Sequence, residues 1–131
     1  SAHRTPKHLE KTIRQFEKDG GKVVIAAAGG AAHLAGVIAA ITPLPVLGVP
    51  IRSPMLGLDS LLSMAQMPPG VPVAVVGVNG AKNAALFAAQ ILAHHDGAVR
   101  DALLQFRKDQ AAKVVAKSKT MDKLGWDQYQ A

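Results

Sequence analysis

The sequence predicts an open, doubly wound α/β domain, and three observations lead to this fold class. Three segments are apolar on both faces, as in parallel strands buried between layers of helix. They alternate with segments of helical character, which implies right-handed crossovers between parallel strands. Of the 15 basic and 9 acidic residues, only Arg52 and Asp59 lie between residues 23 and 81, so this stretch is expected to supply the core.

The first half of the domain is predicted as helix, strand, helix and strand. Thr5 and Pro6 fit an N-cap followed by proline in the first turn of a helix. Gly29 and Gly30 fit a tight turn between a strand and the helix that follows it. The four expected elements are a helix over 6–19, a strand over 22–27, a helix over 31–41 and a strand over 46–49.

The second half is predicted as helix, strand and two helices. Asp59 fits a helix cap, and the prolines and glycine of residues 67–70 end that helix. The expected elements are a helix over 59–66, a strand over 71–78, an alanine-rich helix over 81–95 and a charged helix over 98–117. We therefore expect a domain over residues 1–117 and a C-terminal tail over 118–131.

Composition and charge argue against two classes of partner. Of the net charge of +6, the two terminal segments carry +3 and +2, and their basic residues alternate with acidic ones. Aromatic residues make up only 4% of the chain, so no nucleic-acid partner is expected. The apolar run over 23–42 would place His33 near the centre of a bilayer, so no membrane span is expected. The absence of cysteine excludes disulfides and thiolate metal sites and fits a reducing compartment.

A glycine-containing loop is the first candidate site. Ligands of parallel sheets bind beyond the carboxyl ends of the strands, where Gly29 and Gly30 would expose backbone amides at a helix N-terminus. Such amides favour an anion such as phosphate or carboxylate. The spacing matches neither a dinucleotide-binding fingerprint nor a Walker loop, so a purely structural turn is the alternative. His33, in the following helix, is equally open to a packing role or a chemical one.

The N-terminal loop is the second candidate site. His3 and Arg4 place an imidazole and a guanidinium at a helix entrance, the first suited to proton transfer near neutral pH and the second to phosphate. A solvated loop is the alternative. The other histidines have no partner pattern, and no carboxylate pair, HExxH spacing or nucleophile elbow is present, so neither metal nor acyl-enzyme chemistry is predicted.

Several segments together carry a family resemblance. They are SAHRTP over 1–6, AGGAAHLAG over 28–36, TPLPVLGVP over 42–50, LDSLLSMAQMP over 58–68 and NAALFAAQIL over 83–92. In this order the chain resembles the class I 5-(carboxyamino)imidazole ribonucleotide mutases of purine biosynthesis, over residues 1–110. The family includes the related carboxylase domain that fungi and plants fuse to other activities.

The resemblance implies a fold, an assembly and a reaction. The fold would be a flavodoxin-like three-layer parallel sheet, and the assembly a cytoplasmic homo-octamer with its sites at subunit contacts. The reaction would move a carboxyl group from the exocyclic nitrogen of an aminoimidazole ribonucleotide to a ring carbon, through enclosed carbon dioxide. Neither a metal nor an organic cofactor would take part.

The resemblance also assigns roles to residues of the two candidate loops. His3 would be the general acid and base, and Arg4, together with Ser1, would contact the phosphate end of the nucleotide. The residues that would enclose the migrating carboxyl group are Gly29, Gly30, Ala31, His33 and Leu34. A direct carboxylase that uses free carbon dioxide is the same-fold alternative, and a non-catalytic assembly module is the alternative from another class.

The sequence also departs from the family pattern. The family has a strand, a helix and a strand before SAHRTP, with a Gly-Ser-x-Ser-Asp loop that binds the ribose phosphate, and we expect the present sequence to lack this unit. Ala27 and Ala35 stand where the family has glycine and proline, which would reshape the carboxyl pocket. Pro69 replaces arginine, and the loop before Gly57 is one residue shorter, which would alter closure over the substrate.

Overall fold

The computed structural model describes residues 1–125, which contain five helices and three strands. One compact unit spans Ser1–Ile91, and a second begins at Leu92. No helix among the described residues is long and apolar enough to cross a membrane. The elements are α1 (Pro6–Lys18), β1 (Val24–Ala28), α2 (Leu34–Ile41), β2 (Val46–Pro50), α3 (Leu58–Ala65), β3 (Ala74–Val75), α4 (Ala81–Leu92) and α5 (Gly97–Leu124).

The three strands form one parallel sheet in the order β1-β2-β3. In the register of β1 and β2, Val24 lies opposite Val46 and Ala28 opposite Pro50. The predicted α/β class with a parallel sheet flanked by helices is therefore confirmed. Because parallel strands end at the same edge, the loops 29–33, 51–57 and 76–80 all leave the sheet on one side.

The core of the first unit lies between the sheet and helices α1, α2 and α3. Helix α1 packs against α2, α2 contacts β1 and β2, and α3 contacts β2 and β3. A Cβ at Gly48 of the central strand would lie 3.0 Å from Sδ of Met64, so this glycine permits α3 to approach β2 closely. The buried residues of this cluster are Ile13, Ala26, Ala32, Ala35, Ile38, Val46 and Met64.

Burial on both faces, predicted for every strand, holds only for β2, whose five residues are all buried. In β1, Ala26 faces the core, but Ile25 is 45% exposed and Ala27 is exposed as well. The prediction for β1 is therefore wrong. An apolar sequence shows that a strand tolerates burial on both faces, and it does not show that both faces are covered.

The third strand is much shorter than the predicted 71–78. Regular pairing with β2 is confined to Ala74 and Val75. Pro72 has no N–H to donate to a sheet ladder, which explains why the strand begins after it. Beyond the strand, N–H of Val76 still donates to the carbonyl of Gly48 at 3.1 Å before the chain turns away.

Two predicted helix starts differ from the structure. Helix α2 begins at Leu34 rather than at residue 31, because Gly30 and Ala32 have φ angles of 65° and 40°, which no α-helix contains. Helix α3 has Gly57 at its N-cap position, so the prediction that Asp59 caps it is wrong, and Asp59 lies in its first turn.

Thr5 does occupy the N-cap position of α1, but its side chain makes no capping hydrogen bond. Its Oγ1 donates instead to the carbonyl of Ser1 at 3.0 Å, so this side chain stabilises the loop before the helix. Helix α1 ends at Lys18, one residue before the predicted end, where Asp19 occupies the C-cap position.

The last two helices are separated at Asp96, as expected, but their lengths differ from the prediction. Helix α4 stops at Leu92 rather than at residue 95. Oδ1 of Asp96 accepts a hydrogen bond of 3.1 Å from N–H of Val99 and caps α5. Helix α5 continues past the predicted end at residue 117 to Leu124, because no glycine or proline interrupts it before Gly125. Trp126 and Tyr129 of the predicted tail lie outside the described residues.

Candidate active site

A cleft of about 450 Å³ lies between the N-terminal loop and the loop that follows β1. These are the two loops that the sequence singles out as candidate sites. The residues that line the cleft are Ser1, Ala2, His3, Arg4, Ala28, Gly29, Ala31, Ala32, His33 and Leu34. All the predicted site residues except Gly30 line it, and Gly30 lies within the second loop.

The N-terminal wall of the cleft is a hydrogen-bonded turn. N–H of Thr5 donates to the carbonyl of Ser1 at 2.9 Å, which closes the turn directly before α1. Oγ of Ser1 accepts from Nε of Arg4 at 3.3 Å and from its backbone N–H at 3.4 Å. Ser1 therefore orients the Arg4 side chain, whose terminal nitrogens have no protein partner within residues 1–125.

The opposite wall is a strained turn. N–H of Ala32 donates to the carbonyl of Gly29 at 3.3 Å, and Ala32 has a φ of 40° although it is not glycine. Such a conformation costs on the order of 1–3 kcal/mol and persists only where the surroundings enforce it. Ala32 is only 4% exposed, so burial in the core holds the turn that precedes His33.

The two walls meet through a pair of histidines that are 30 residues apart in the sequence. Nδ1 of His33 lies 2.9 Å from Nε2 of His3, and the ring planes are 82° apart with centroids separated by 4.9 Å. One nitrogen must donate a proton and the other accept it, because two N–H groups or two lone pairs would repel each other. The outer nitrogens, Nδ1 of His3 and Nε2 of His33, have no partner within residues 1–125.

The electrostatic character of the cleft is simple. Arg4 is its one charged side chain, and apart from Ser1 and the two histidines the other lining residues are glycine, alanine and leucine. An anion entering the cleft would therefore meet a single guanidinium, imidazole nitrogens and the backbone amides of the second loop. Among residues 1–125, no three histidine or carboxylate side chains are placed to hold a metal ion.

The other two loops at the same edge of the sheet are also held by polar contacts. N–H of Asn79 donates to the carbonyl of Pro50 at 2.8 Å, and its Oδ1 accepts from N–H of Arg52 at 3.0 Å. Asn79 has a φ of 58°, and Leu56, which is 69% exposed, has a φ of 59°. Each of the three loops thus contains one non-glycine residue in the left-handed region. The sequence did not predict this link between the loops.

A serine and an aspartate fix the loop between β2 and α3. The hydroxyl of Ser53 donates a short hydrogen bond to Oδ1 of Asp59, and Oγ of Ser53 accepts from N–H of Gly57 at 3.3 Å. The hydrogen bond from the Ser53 hydroxyl is the largest influence on the Asp59 carboxyl and lowers its pKa below the ordinary value of 3.8. Burial opposes this effect and is the second largest, and the backbone N–H of Ser60 lowers the pKa by a smaller amount. Sequence reasoning found the only acid in this region but assigned it to a cap.

Two of the departures from the family pattern lie outside the cleft. Ala27 is exposed on the open face of β1, and Ala35 is fully buried in the core. Neither side chain lines the cleft, so these residues can affect it only through the backbone of the strand and of the helix. Of the remaining histidines, His8 lies on α1, and His94 and His95 lie between α4 and α5.

Comparison with known proteins agrees with this arrangement. The AIR carboxylase family matches residues 1–113, a range that includes both walls of the cleft. The chain belongs to the AIR carboxylase family. It is 55% identical over 130 residues to the N5-carboxyaminoimidazole ribonucleotide mutase of Pyrococcus abyssi, and this match covers 98% of the chain and 75% of that protein.

The relatives that are similar to this chain include both mutases and carboxylases by name. The phosphoribosylaminoimidazole carboxylase of Saccharomyces cerevisiae is 45% identical over 130 residues, which cover 98% of the chain but only 23% of that larger protein. Among solved structures, PurE from Treponema denticola has a TM-score of 0.82 at 28% identity and covers 95% of this chain, which in turn covers 77% of that structure. The flavodoxin-like architecture expected from the resemblance is thereby confirmed.

Proposed function

We propose that this chain is an N5-carboxyaminoimidazole ribonucleotide mutase of purine biosynthesis, an isomerase. It shifts a carboxyl group from the exocyclic nitrogen of the aminoimidazole ribonucleotide to a ring carbon. One observation carries the proposal: the imidazole of His3 lies against His33 in a cleft formed by the two motifs that match the family. The high identity to the Pyrococcus abyssi mutase supports the same reaction.

The reaction needs one group that donates a proton and later accepts one. Protonation of the exocyclic nitrogen breaks its bond to the carboxyl carbon and releases carbon dioxide. The electron-rich ring carbon then attacks carbon dioxide, and loss of the proton on that carbon restores the aromatic ring. His3 performs both transfers, because an imidazole donates and accepts protons near neutral pH. The nitrogen that acts is Nδ1, since His33 holds Nε2.

The nucleotide and the carboxyl group are bound by different parts of the cleft. Arg4, oriented by Ser1, binds the phosphate end, because a guanidinium forms two parallel hydrogen bonds with phosphate oxygens. The carboxyl group lies against the second wall, formed by Gly29, Gly30, Ala31, His33 and Leu34. Small apolar side chains keep water from carbon dioxide, and backbone amides stabilise the carboxylate.

Substitution of the proposed acid and base tests this function. His3→Asn keeps a side chain of similar size and polarity but removes the proton-transfer group. We expect it to bind the product nucleotide in calorimetry and to lose turnover by a factor of about 100 to 10,000, the usual contribution of general acid-base catalysis. His8→Asn, the same change on the exposed surface of α1, is the matched control. A His3→Asn variant that turns over at the native rate would exclude this role.

A second candidate function is direct carboxylation of aminoimidazole ribonucleotide. It is favoured by the carboxylase names of relatives from Vigna aconitifolia, Candida albicans and Saccharomyces cerevisiae, at 45–47% identity. The two activities differ in their need for free carbon dioxide. A mutase forms product from the N-carboxylated substrate without added bicarbonate, whereas a carboxylase acts on the uncarboxylated nucleotide only when bicarbonate is supplied.

The proposal includes a cytoplasmic homo-octamer. Apolar residues of α4 support an assembly, because Phe87 and Leu92 are 40% and 36% exposed in the single chain. Helix α5 supports it too, since none of its 28 residues is buried. Contacts between copies would remove these apolar surfaces from water. Sedimentation equilibrium tests the assembly, and a monomer at all accessible concentrations would exclude it. Cell fractionation tests the location.

A further inference from the structure

The contact between His3 and His33 places a limit on the protons that the two rings hold. A neutral imidazole carries one N–H, and a protonated one carries two. The 2.9 Å contact accommodates one proton between Nε2 of His3 and Nδ1 of His33. Two protonated rings would direct two N–H groups at each other, so the contact permits a neutral pair or a singly charged pair but not a doubly charged one.

The same contact couples the tautomers of the two rings. If His33 is protonated, it donates through Nδ1, and Nε2 of His3 is the acceptor, so the proton of His3 is on Nδ1. If His33 is neutral and accepts through Nδ1, the proton of His3 is on Nε2, and Nδ1 of His3 carries a lone pair. For a neutral His3, the ring that holds the shared proton thus decides whether Nδ1 of His3 carries a proton and acts as an acid, or carries a lone pair and acts as a base.

We propose that His33 is a positioning residue that stores the catalytic proton, and that His3 switches between acid and base by exchanging its tautomer through the shared hydrogen bond. This inference rests on the mutase function proposed above and deepens it. The sequence resemblance gives His33 only a place in the wall around the carboxyl group. The geometry adds a role that acts through His3.

The proton transfers balance without any other reactant. In the first half, the Nδ1–H bond of His3 breaks as an N–H bond forms on the exocyclic nitrogen, and the Nδ1 proton of His33 moves to Nε2 of His3. His33 is then neutral. In the second half, the ring carbon loses its proton to Nδ1 of His3, and the Nε2 proton of His3 returns to His33. The pair ends as it began, and nothing is oxidised or reduced.

The surroundings of the pair are compatible with this exchange. The N-terminal loop contributes the guanidinium of Arg4 and the amino group of Ser1, which donates to Oγ1 of Thr5 at 3.2 Å, and the loop after β1 contributes no ionisable side chain besides His33. Both histidines are exposed at the cleft, so the stored proton exchanges with solvent between turnovers.

A spectroscopic experiment tests the shared proton on the ligand-free protein. With ¹⁵N-labelled histidine, we expect a scalar coupling between Nε2 of His3 and Nδ1 of His33, and the signals of both rings should move together during one pH titration. His3→Asn and His33→Asn assign the signals. Two rings that titrate independently, with no coupling between them, would overturn the proposal whether or not the chain is a mutase.

A kinetic experiment tests the role in turnover. His33→Asn places an amide near the position of Nδ1, which preserves a hydrogen-bonding partner but cannot store a proton. We expect kcat to fall about 10- to 100-fold, with KM changed little, because removing the hydrogen-bond partner of a metal-binding histidine has an effect of this size. In mixtures of light and heavy water, the native rate should depend on two protons in motion and the His33→Asn rate on one.

Controls separate the possible failures. His8→Asn should leave both kinetic readouts native, and thermal unfolding should show that His33→Asn is folded. If His33→Asn turns over at the native rate, or if the native rate depends on only one proton in motion, proton storage by His33 is contradicted even if mutase activity is present. If the native chain lacks mutase activity altogether, the proposed function fails, while the ¹⁵N measurement still decides whether the pair shares a proton.

Discussion

A substitution at Gly57 tests how the loop after β2 packs against the loop after β3. Gly57 is buried at the start of α3 with a φ of 88°. A Cβ at this position would lie 2.6 Å from Cγ1 and 3.0 Å from Cγ2 of Val78. Gly57→Ala therefore introduces two separate penalties, one in the backbone and one in packing.

The size of each penalty follows from general values. An alanine in the left-handed region costs about 1–2 kcal/mol. An added methyl group that forces a packed neighbour to move costs about 1–3 kcal/mol. We therefore expect Gly57→Ala to lower the free energy of unfolding by about 2–5 kcal/mol.

Two other glycines of the same unit provide matched controls. Gly70 has a φ of 95° with nothing within 4 Å of a Cβ, so Gly70→Ala has only the backbone penalty of about 1–2 kcal/mol. Gly77 also has open space and lacks a positive φ, so Gly77→Ala should be neutral or stabilise the protein by up to about 1 kcal/mol.

Urea unfolding at one fixed protein concentration measures the series, since assembly makes stability depend on concentration. The expected order of destabilisation is Gly57→Ala, then Gly70→Ala, then Gly77→Ala. The double variant Gly57→Ala/Val78→Ala should lose less free energy of unfolding than the sum of the losses in the two single variants, because Val78→Ala removes the atoms that the new methyl group would meet. A Gly57→Ala variant no less stable than Gly70→Ala would refute the packing argument.

Two further predictions concern a loop and a helix end. Ser53→Ala removes the hydroxyl that keeps the pKa of the Asp59 carboxyl low. A lowered carboxyl pKa stabilises the folded state above pH 3.8, and this contribution is lost as the pH falls through the folded pKa. In urea unfolding, the variant should therefore be less stable than the native chain at neutral pH, and the difference should shrink below pH 3.8. A difference independent of pH would contradict the assignment. Asp96→Ala removes the cap of α5 and should lower protection of the Val99 amide from hydrogen exchange by about 1 kcal/mol, whereas Asp101→Ala, an exposed change within the same helix, should not.

The sequence predicted the architecture well because apolar patterning depends on local chemistry. The predicted bounds of β2 and of α3 each lie within one residue of those observed. The prediction of burial failed where burial depends on whether another element packs against the strand, as at Ile25 on the open face of β1. Pro72 was a signal in the sequence that should have shortened β3, because a residue without an N–H cannot join the ladder.

The candidate site shows a similar division. Motifs identified both loops, and the structure brings them together as walls of one cleft. No pattern in the sequence indicated that His3 and His33 contact each other, because the contact depends on the left-handed turn at Ala32. Alanine has the highest helix propensity, so the sequence predicts that Ala32 belongs to the helix and gives no sign of a left-handed φ.

The three left-handed residues also limit how the site can be engineered. A library that seeks new substrates would vary loop positions at the carboxyl edge of the sheet, yet Ala32, Leu56 and Asn79 accept few alternatives there. Glycine, asparagine and aspartate tolerate such backbone angles, whereas valine, isoleucine and threonine do not. A productive library would hold these three codons fixed, or restrict them to tolerant residues, and place its diversity at exposed neighbours such as Met55.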